Sequence, residues 1–429
     1  MSWALMFRAR EYLKGSLWFY PLAGAILGPL LAVLTRQADT SVTVPEMWQY
    51  TPSAASTVLT TIVGATVGLT GFVVTVTVLA IQMATGTFSA RYMRIWYRDR
   101  LLKAVLAVLA GALTLSFSLL RQVGSKQVPN IGVSVAGGLL VLSLVLFLLF
   151  FDRFIHRLRP VAVADLVGQM ALRVITTVTQ AAEVDTSAAG TAAGDPLLMV
   201  ASGRAGSIQA INVRGLVTWA SRHNHLLAMQ AAVGDFVTTG QHLMAVYGDG
   251  AAPPKTGRLQ SMIALGAERT IEQDAAFAIR IMADIAVKAL SAAINDPTTA
   301  VQSLDHLGNV LRVLGATPLH GSLTFRDRAG VPRLLMPGRT WADYLTLAVT
   351  EIREYGCSSI QVMRRLRALL EDLQDSVRPE HRPAVDTQIA KLDATTAASF
   401  AGSADSDQAR ARDRQGIGGP AASQPSAII

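Results

Sequence analysis

The polar residues best spaced to act together lie between positions 284 and 299: Asp284, Lys288, Asn295, Asp296 and Thr299. Their oxygens are hard donors of the kind that coordinate Mg²⁺ or Ca²⁺. Each residue also has a local role. Arg280, Asp284 and Lys288 step by four along one face of a helix and can pair. Asp296 ahead of Pro297 is a helix cap with proline in the first turn. The local roles explain the cluster without a ligand, so no metal is assigned to it. His223 and His225, with His242 downstream, offer imidazoles for zinc, but closely spaced cysteines and a helical histidine pair are missing. Phosphate-binding loops, a Gly-x-Ser-x-Gly elbow, His-Glu-x-x-His and Cys-x-x-Cys are also missing. Cys357 is the single cysteine, so no disulfide forms within the chain, and no base is evident for a thiol nucleophile. No catalytic residue and no cofactor is assigned, and an enzyme is disfavoured.

A second pattern sits in an apolar run. Thr57, Thr61, Gly64, Gly68, Gly71, Thr75 and Gln82 fall close to one helical stripe, broken by Val78. Small residues let helices approach closely, and Gly24-x-x-x-Gly28 offers a partner for Gly64-x-x-x-Gly68. The stripe is either a packing seam or the wall of a polar path. No charged residue lies near the middle of an apolar run, which disfavours proton-coupled pumping and leaves a passive pore open.

These residues need elements to hold them. The chain has 429 residues, 51% hydrophobic and 16% charged, below the roughly 25% charged residues of soluble domains. Its net charge of +8 is uneven: residues 1–160 carry 14 Lys+Arg against 5 Asp+Glu, and the remainder carries 24 against 25. The positive excess therefore lies in the most apolar part. Four runs, about 17–35, 57–84, 101–120 and 131–151, are long enough for a hydrocarbon core of about 30 Å. The first is too long for a signal peptide, and Leu34-Thr35-Arg36 gives no small-x-small cleavage site. Lys103 is close enough to its span's end to snorkel. Eleven of the fourteen basic residues fall on one side of these spans, which places both termini in the cytoplasm. Arg91, Arg94, Arg98 and Arg100 form the inner-leaflet contact, part of an amphipathic helix attracted to anionic lipid.

From 161 a helix is expected to about 182, then a small-residue linker to 195. Short β-like runs follow at Leu197–Ala201, Gly206–Ile211, Leu216–Ser221, Leu226–Gln230 and His242–Tyr247. The stretch Val233-Gly-Asp-Phe-Val-Thr-Thr-Gly-Gln-His-Leu-Met-Ala-Val resembles part of a biotinyl/lipoyl-type barrel-sandwich domain. No lysine lies between Leu197 and Asp249, so cofactor attachment does not carry over. Thr270-Ile-Glu-Gln273 fits a capping box for a helix ending near Asn295. A second helix runs from Asp296 to Gly315, and a hairpin turns at Asp327-Arg-Ala-Gly. Further helices are expected at about 342–355, 358–375 and 383–394. Residues 401–429 read as disordered.

Three stretches resemble one family. Leu79–Met93, Val233–Val246, and Glu268–Arg280 continuing through Asp284–Val301 are similar to the bacterial membrane proteins of the domain of unknown function 2254 family. Ser89-Ala90-Arg91 stands where that pattern usually has Ser-Pro-Arg, and Ala292 where it often has proline. The resemblance implies a multi-pass protein of the bacterial inner membrane and assigns it no particular activity. The fold expected is a membrane α-helical bundle of four transmembrane helices (1–160) plus a cytoplasmic α+β region. That region contains a barrel-sandwich-like β unit (196–250) and a mainly helical bundle (260–400). The expected partners are an anionic inner leaflet and further copies in a homo-oligomer, and the near-neutral cytoplasmic half excludes nucleic acid. Two functions fit: an oligomeric, channel-like or pore-forming protein with a cytoplasmic regulatory domain, or a membrane-anchored scaffold or sensor for a cytoplasmic partner or small ligand.

Overall fold

Long apolar runs become helices because a helix satisfies its own backbone where water cannot. The computed structural model describes residues 2–41, 45–87, 98–124, 128–157, 159–181, 194–248 and 255–419. They divide into two units: one holds Glu11–Gly86 and Ala90–Arg159, the other Met1–Arg10, Thr87–Ser89 and Pro160–Ile429.

Helix α1 (Trp3–Gly15) opens the chain, and the first unit then contains α2 (Phe19–Ser41), α3 (Pro52–Thr87), α4 (Arg100–Leu120) and α5 (Asn130–Arg157). Among the described residues, four helices (α2 to α5) are long and apolar enough to cross a membrane. Gly24 and Gly28 do not meet α3. A Cβ on Gly24 would collide with the Ala107 carbonyl, and one on Gly28 with the Thr114 hydroxyl and the Gly111 carbonyl, so α2 packs backbone-close on α4. α3 buries its other face: Leu59 and Ile62 join Leu115, Leu119 and Val133, while Val73 joins Leu109 and Phe147. Asp99 caps α4 by accepting from Leu101 N at 2.7 Å and Leu102 N at 3.2 Å.

Lys103 does not snorkel. Its side chain is buried, its ammonium donates to the Leu13 and Lys14 carbonyls at the end of α1, and it lies 5.0 Å from the Tyr20 ring centroid. Carbonyls left open at a helix C-terminus attract a cation, which is reason enough for the lysine to turn inward.

In the second unit, α6 (Pro160–Ala181) precedes β1 (Leu198–Ala201) and β2 (Gly206–Ile211). Residues 216–221, expected as a strand, belong instead to helix α7 (Val213–His223). Asn212 caps it by accepting from Gly215 N at 3.0 Å, Leu216, Trp219 and Ala220 form its buried face, and Asn224 ends it in the left-handed region at φ 53°. Strands β3 (Leu226–Met229), β4 (Phe236–Val237), β5 (His242–Tyr247), helix α8 (Thr256–Gln260) and β6 (Ile263–Gly266) follow. The hairpin of β7 (His320–Arg326) and β8 (Pro332–Thr340) then completes a five-stranded sheet of order β1-β5-β3-β8-β7. β3 and β8 run parallel, with Leu227 opposite Leu334. A second sheet has the order β4-β2-β6. The β region thus draws strands from beyond position 250.

The helices α9 (Ala275–Ala289), α10 (Pro297–Gly315), α11 (Trp341–Tyr355), α12 (Ile360–Ser376) and α13 (Arg382–Ser399) pack with α6, α9 lying against α6, α10 and α11. The expected capping box at Thr270–Gln273 is not a cap. Asp274 caps α9, accepting from Phe277 N at 3.1 Å. The Thr270 hydroxyl donates to Gln209 O, and the Gln273 amide bridges both backbone groups of Ile211, so tertiary bonds take the side chains a box would use. Residues 401–419 also differ from the disordered reading. They include α14 (Ser406–Arg410) and then wrap buried Arg364 of α12, which donates to the carbonyls of Ala411 (3.2 Å), Gly418 (3.1 Å) and Gly419 (2.7 Å).

Candidate functional site

The small-residue stripe of α3 is open. Thr57, Thr61, Gly64, Gly68, Gly71, Thr75 and Gln82 are all exposed. A Cβ on Gly64, Gly68 or Gly71 would meet no atom within 4 Å. The hydroxyls are occupied as donors: Thr57 donates to Ser53 O at 2.9 Å, Thr61 to Thr57 O at 2.8 Å and Thr75 to Gly71 O at 2.9 Å. They keep only acceptor lone pairs, so the face tolerates an apolar neighbour and can still accept a bond from a polar one.

Of the basic collar, Arg91 and Arg94 lie outside the described residues. Arg98 pairs with Glu11, and Arg100 is exposed at the start of α4.

The polar residues between 284 and 299 do not converge on a vacant point. Asp284 accepts from Arg280 Nε at 2.6 Å. Asp296 caps α10, accepting from Thr299 N at 3.0 Å and the Thr299 hydroxyl at 2.6 Å. Asn295 takes φ 48° between α9 and α10, its backbone N donating to Ser291 O at 2.8 Å. Lys288 ends α9 in its last turn. Among the described residues, no group of three His, Cys, Asp or Glu side chains could hold a metal ion. His223 and His225 stack with Trp219, at centroid distances of 4.4 and 5.6 Å, and His242 is exposed at the start of β5.

The second unit also contains a large cavity that no motif announces. It has a volume of about 1240 Å³ and is walled by α6, α7, the turn before α9 and the β7–β8 hairpin. Its wall includes Arg214, Arg222, Arg328 and Arg339, which have no carboxylate partner among the described residues, and Tyr344 of α11. Burial, and secondarily Asp274, push the Tyr344 phenol up to about 12, so it remains a neutral donor. Two of the three acids in the wall pair with residues outside it: Asp274 accepts from Arg269 at 2.8 Å and Asp327 from Arg333 at 2.7 Å. The Arg333 bond holds the Asp327 carboxyl down to about 2. The sequence signal for this site is faint. The arginines are scattered over more than one element, and α7, which carries two of them, reads as a strand.

Comparison with known proteins gives the chain its relatives. The family model described as "Predicted membrane protein (DUF2254)" matches residues 14–372. An uncharacterized protein of Mycobacterium tuberculosis (strain CDC 1551 / Oshkosh) is 31% identical over 415 residues, covering 92% of this chain and 79% of the relative. An uncharacterized protein of Mycobacterium bovis (strain ATCC BAA-935 / AF2122/97) matches with the same identity and coverage. No solved structure matches. The chain belongs to the DUF2254 family of membrane proteins.

Proposed function

We propose that this member of the DUF2254 family is a homo-oligomeric, channel-like protein of the bacterial inner membrane, with the second unit as its cytoplasmic regulatory domain. The observation that carries the reading is the open face of α3. Glycines facing lipid lose packing that a second helix would supply, and a glycine face lets two backbones approach closely. Copies that meet through Gly64, Gly68 and Gly71 bring the Thr57, Thr61 and Thr75 oxygens toward a shared axis. The excess of Lys and Arg on one side of the spans supports cytoplasmic termini. Exposed Arg100 supports contact with an anionic inner leaflet.

The test uses the purified full chain. Mass in lipid nanodiscs should be a multiple of the protomer, and planar bilayers should conduct. Gly68→Leu should reduce assembly and Thr75→Val should alter conductance. A folded monomer sinks the oligomer, and a folded but electrically silent oligomer sinks the pore.

A second reading, a membrane-anchored sensor for a small ligand, is favoured by the cavity beside α7. Ligand binding by a protein that never conducts would select it.

A further inference from the structure

The cavity walled by α6, α7 and the β7–β8 hairpin has a chemistry that limits what can fill it. At about 1240 Å³ it exceeds the roughly 300–1,000 Å³ of ordinary small-molecule sites. Much of its wall is apolar: Val174, Val217, Leu319 and Phe325 all face it. An apolar body displaces water from that part of the wall favourably.

The charges in the wall do not balance. Arg269 and Arg333, which are not in the wall, pair with Asp274 and Asp327. Glu272 and Arg326 cancel in formal charge. Arg214, Arg222, Arg328 and Arg339 remain, with no ion pair to a carboxylate among the described residues. Arg214 also stands in the first turn of α7, which has no acidic residue. A cation in the first turn of a helix is unfavourable beside the positive end of the dipole, and an anion bound there offsets it. Guanidinium groups match the planar oxygens of carboxylate and phosphate with paired donors.

We infer that this cavity binds an amphipathic organic anion, its carboxylate or phosphate head on Arg214 and Arg339 and its apolar body against Val217, Leu319 and Phe325. The site is contained in the second unit and does not depend on α3 lining a pore. The head and chain could come from a soluble metabolite or from an anionic lipid, and both present the same chemistry to the wall.

The experiment is calorimetric titration of the full chain in phosphatidylcholine nanodiscs with hexyl phosphate, inorganic phosphate and hexanol. Hexyl phosphate should bind saturably, at least about tenfold tighter than either of the others. The Arg214→Gln/Arg339→Gln pair should weaken it by about tenfold or more, as expected for lost charge-assisted bonds. Leu319→Ser should weaken hexyl phosphate and leave inorganic phosphate unchanged. Arg214→Gln alone, at an exposed position, serves if the double variant misfolds, as read by circular dichroism. Added phosphatidate in the nanodisc competes if the source is lipid and does not if it is soluble. The inference is overturned if hexanol binds as well as hexyl phosphate, if inorganic phosphate does, or if folded arginine variants bind like the parent chain.

Discussion

Arg280 of α9 holds Glu351 of α11 through both terminal nitrogens, at 2.7 Å for Nη2 to Oε2, while its Nε holds Asp284 at 2.6 Å. Spacing along α9 shows the Asp284 half of this arrangement; only the packing of two helices shows the other. The bonds it donates to Glu351, and then those to Asp284, raise the guanidinium above its ordinary value. One cation therefore ties α11 to α9.

That tie should be measurable as a coupling. Arg280→Ala should cost about 2 kcal/mol, a typical loss for hydrogen bonds to charged groups. Glu351→Gln should cost less than about 1 kcal/mol, because the Glu351 side chain is 43% exposed and screened. A double-mutant cycle followed by chemical denaturation should give a coupling of about 0.5 kcal/mol or more. Strict additivity would contradict a shared bond.

Two glycines in apolar helices should respond oppositely. Gly28→Leu drives a side chain into the backbone of α4 and should cost about 3 kcal/mol or more, seen as loss of monodisperse protein in detergent. Gly68→Leu adds a side chain where nothing is near, so the single chain should keep its fold within about 0.5 kcal/mol. Equal damage from both would mean that the faces of α2 and α3 are wrongly assigned.

His225 should make the second unit acid-sensitive. Burial, with His223 and Arg333 as lesser contributors, holds its imidazole below the ordinary value, against a raising backbone bond at Tyr247. The unfolded chain, with a histidine near 6.5, binds the proton more readily than the folded one. Stability is therefore complete above about pH 6.5 and declines as pH falls below it. Thermal melts between pH 7.5 and 5 should show this decline flattened in His225→Phe. An identical slope in the variant would assign the effect to other groups.

Deleting residues 411–429 should destabilise the helical part of the second unit by roughly 3 kcal/mol, because it strips the carbonyl acceptors from a buried guanidinium. Arg364→Leu in the shortened chain should recover part of the loss. No change on deletion would show that the tail is dispensable to the packing of Arg364.

What could be read in advance follows from the range of each interaction. The four apolar helices are legible because about 20 apolar residues have few other fates. The cap at Asp296 is legible because it is made within four residues. Leu216–Ser221 is not, since a short run of Leu, Val, Thr and Trp suits a buried strand as well as a helix face, and only Asn212 and Asn224 at its ends tip the balance. Thr270 and Gln273 have box spacing, but their side chains are used by β2. The cavity is the extreme case. Arg214, Arg328 and Arg339 mean nothing in line and become a site only after α7 and the hairpin are placed.

The parallel pairing of β3 with β8 has a consequence for how the chain is made. Leu227 leaves the ribosome about 100 residues before its neighbour Leu334 exists. At about 5–20 residues per second the edge of β3 waits about 5–20 s without its partner strand. During that interval its backbone groups are a template for any passing strand, including that of another nascent chain. The yield of correctly paired sheet should therefore depend on how fast the residues between the two strands are translated.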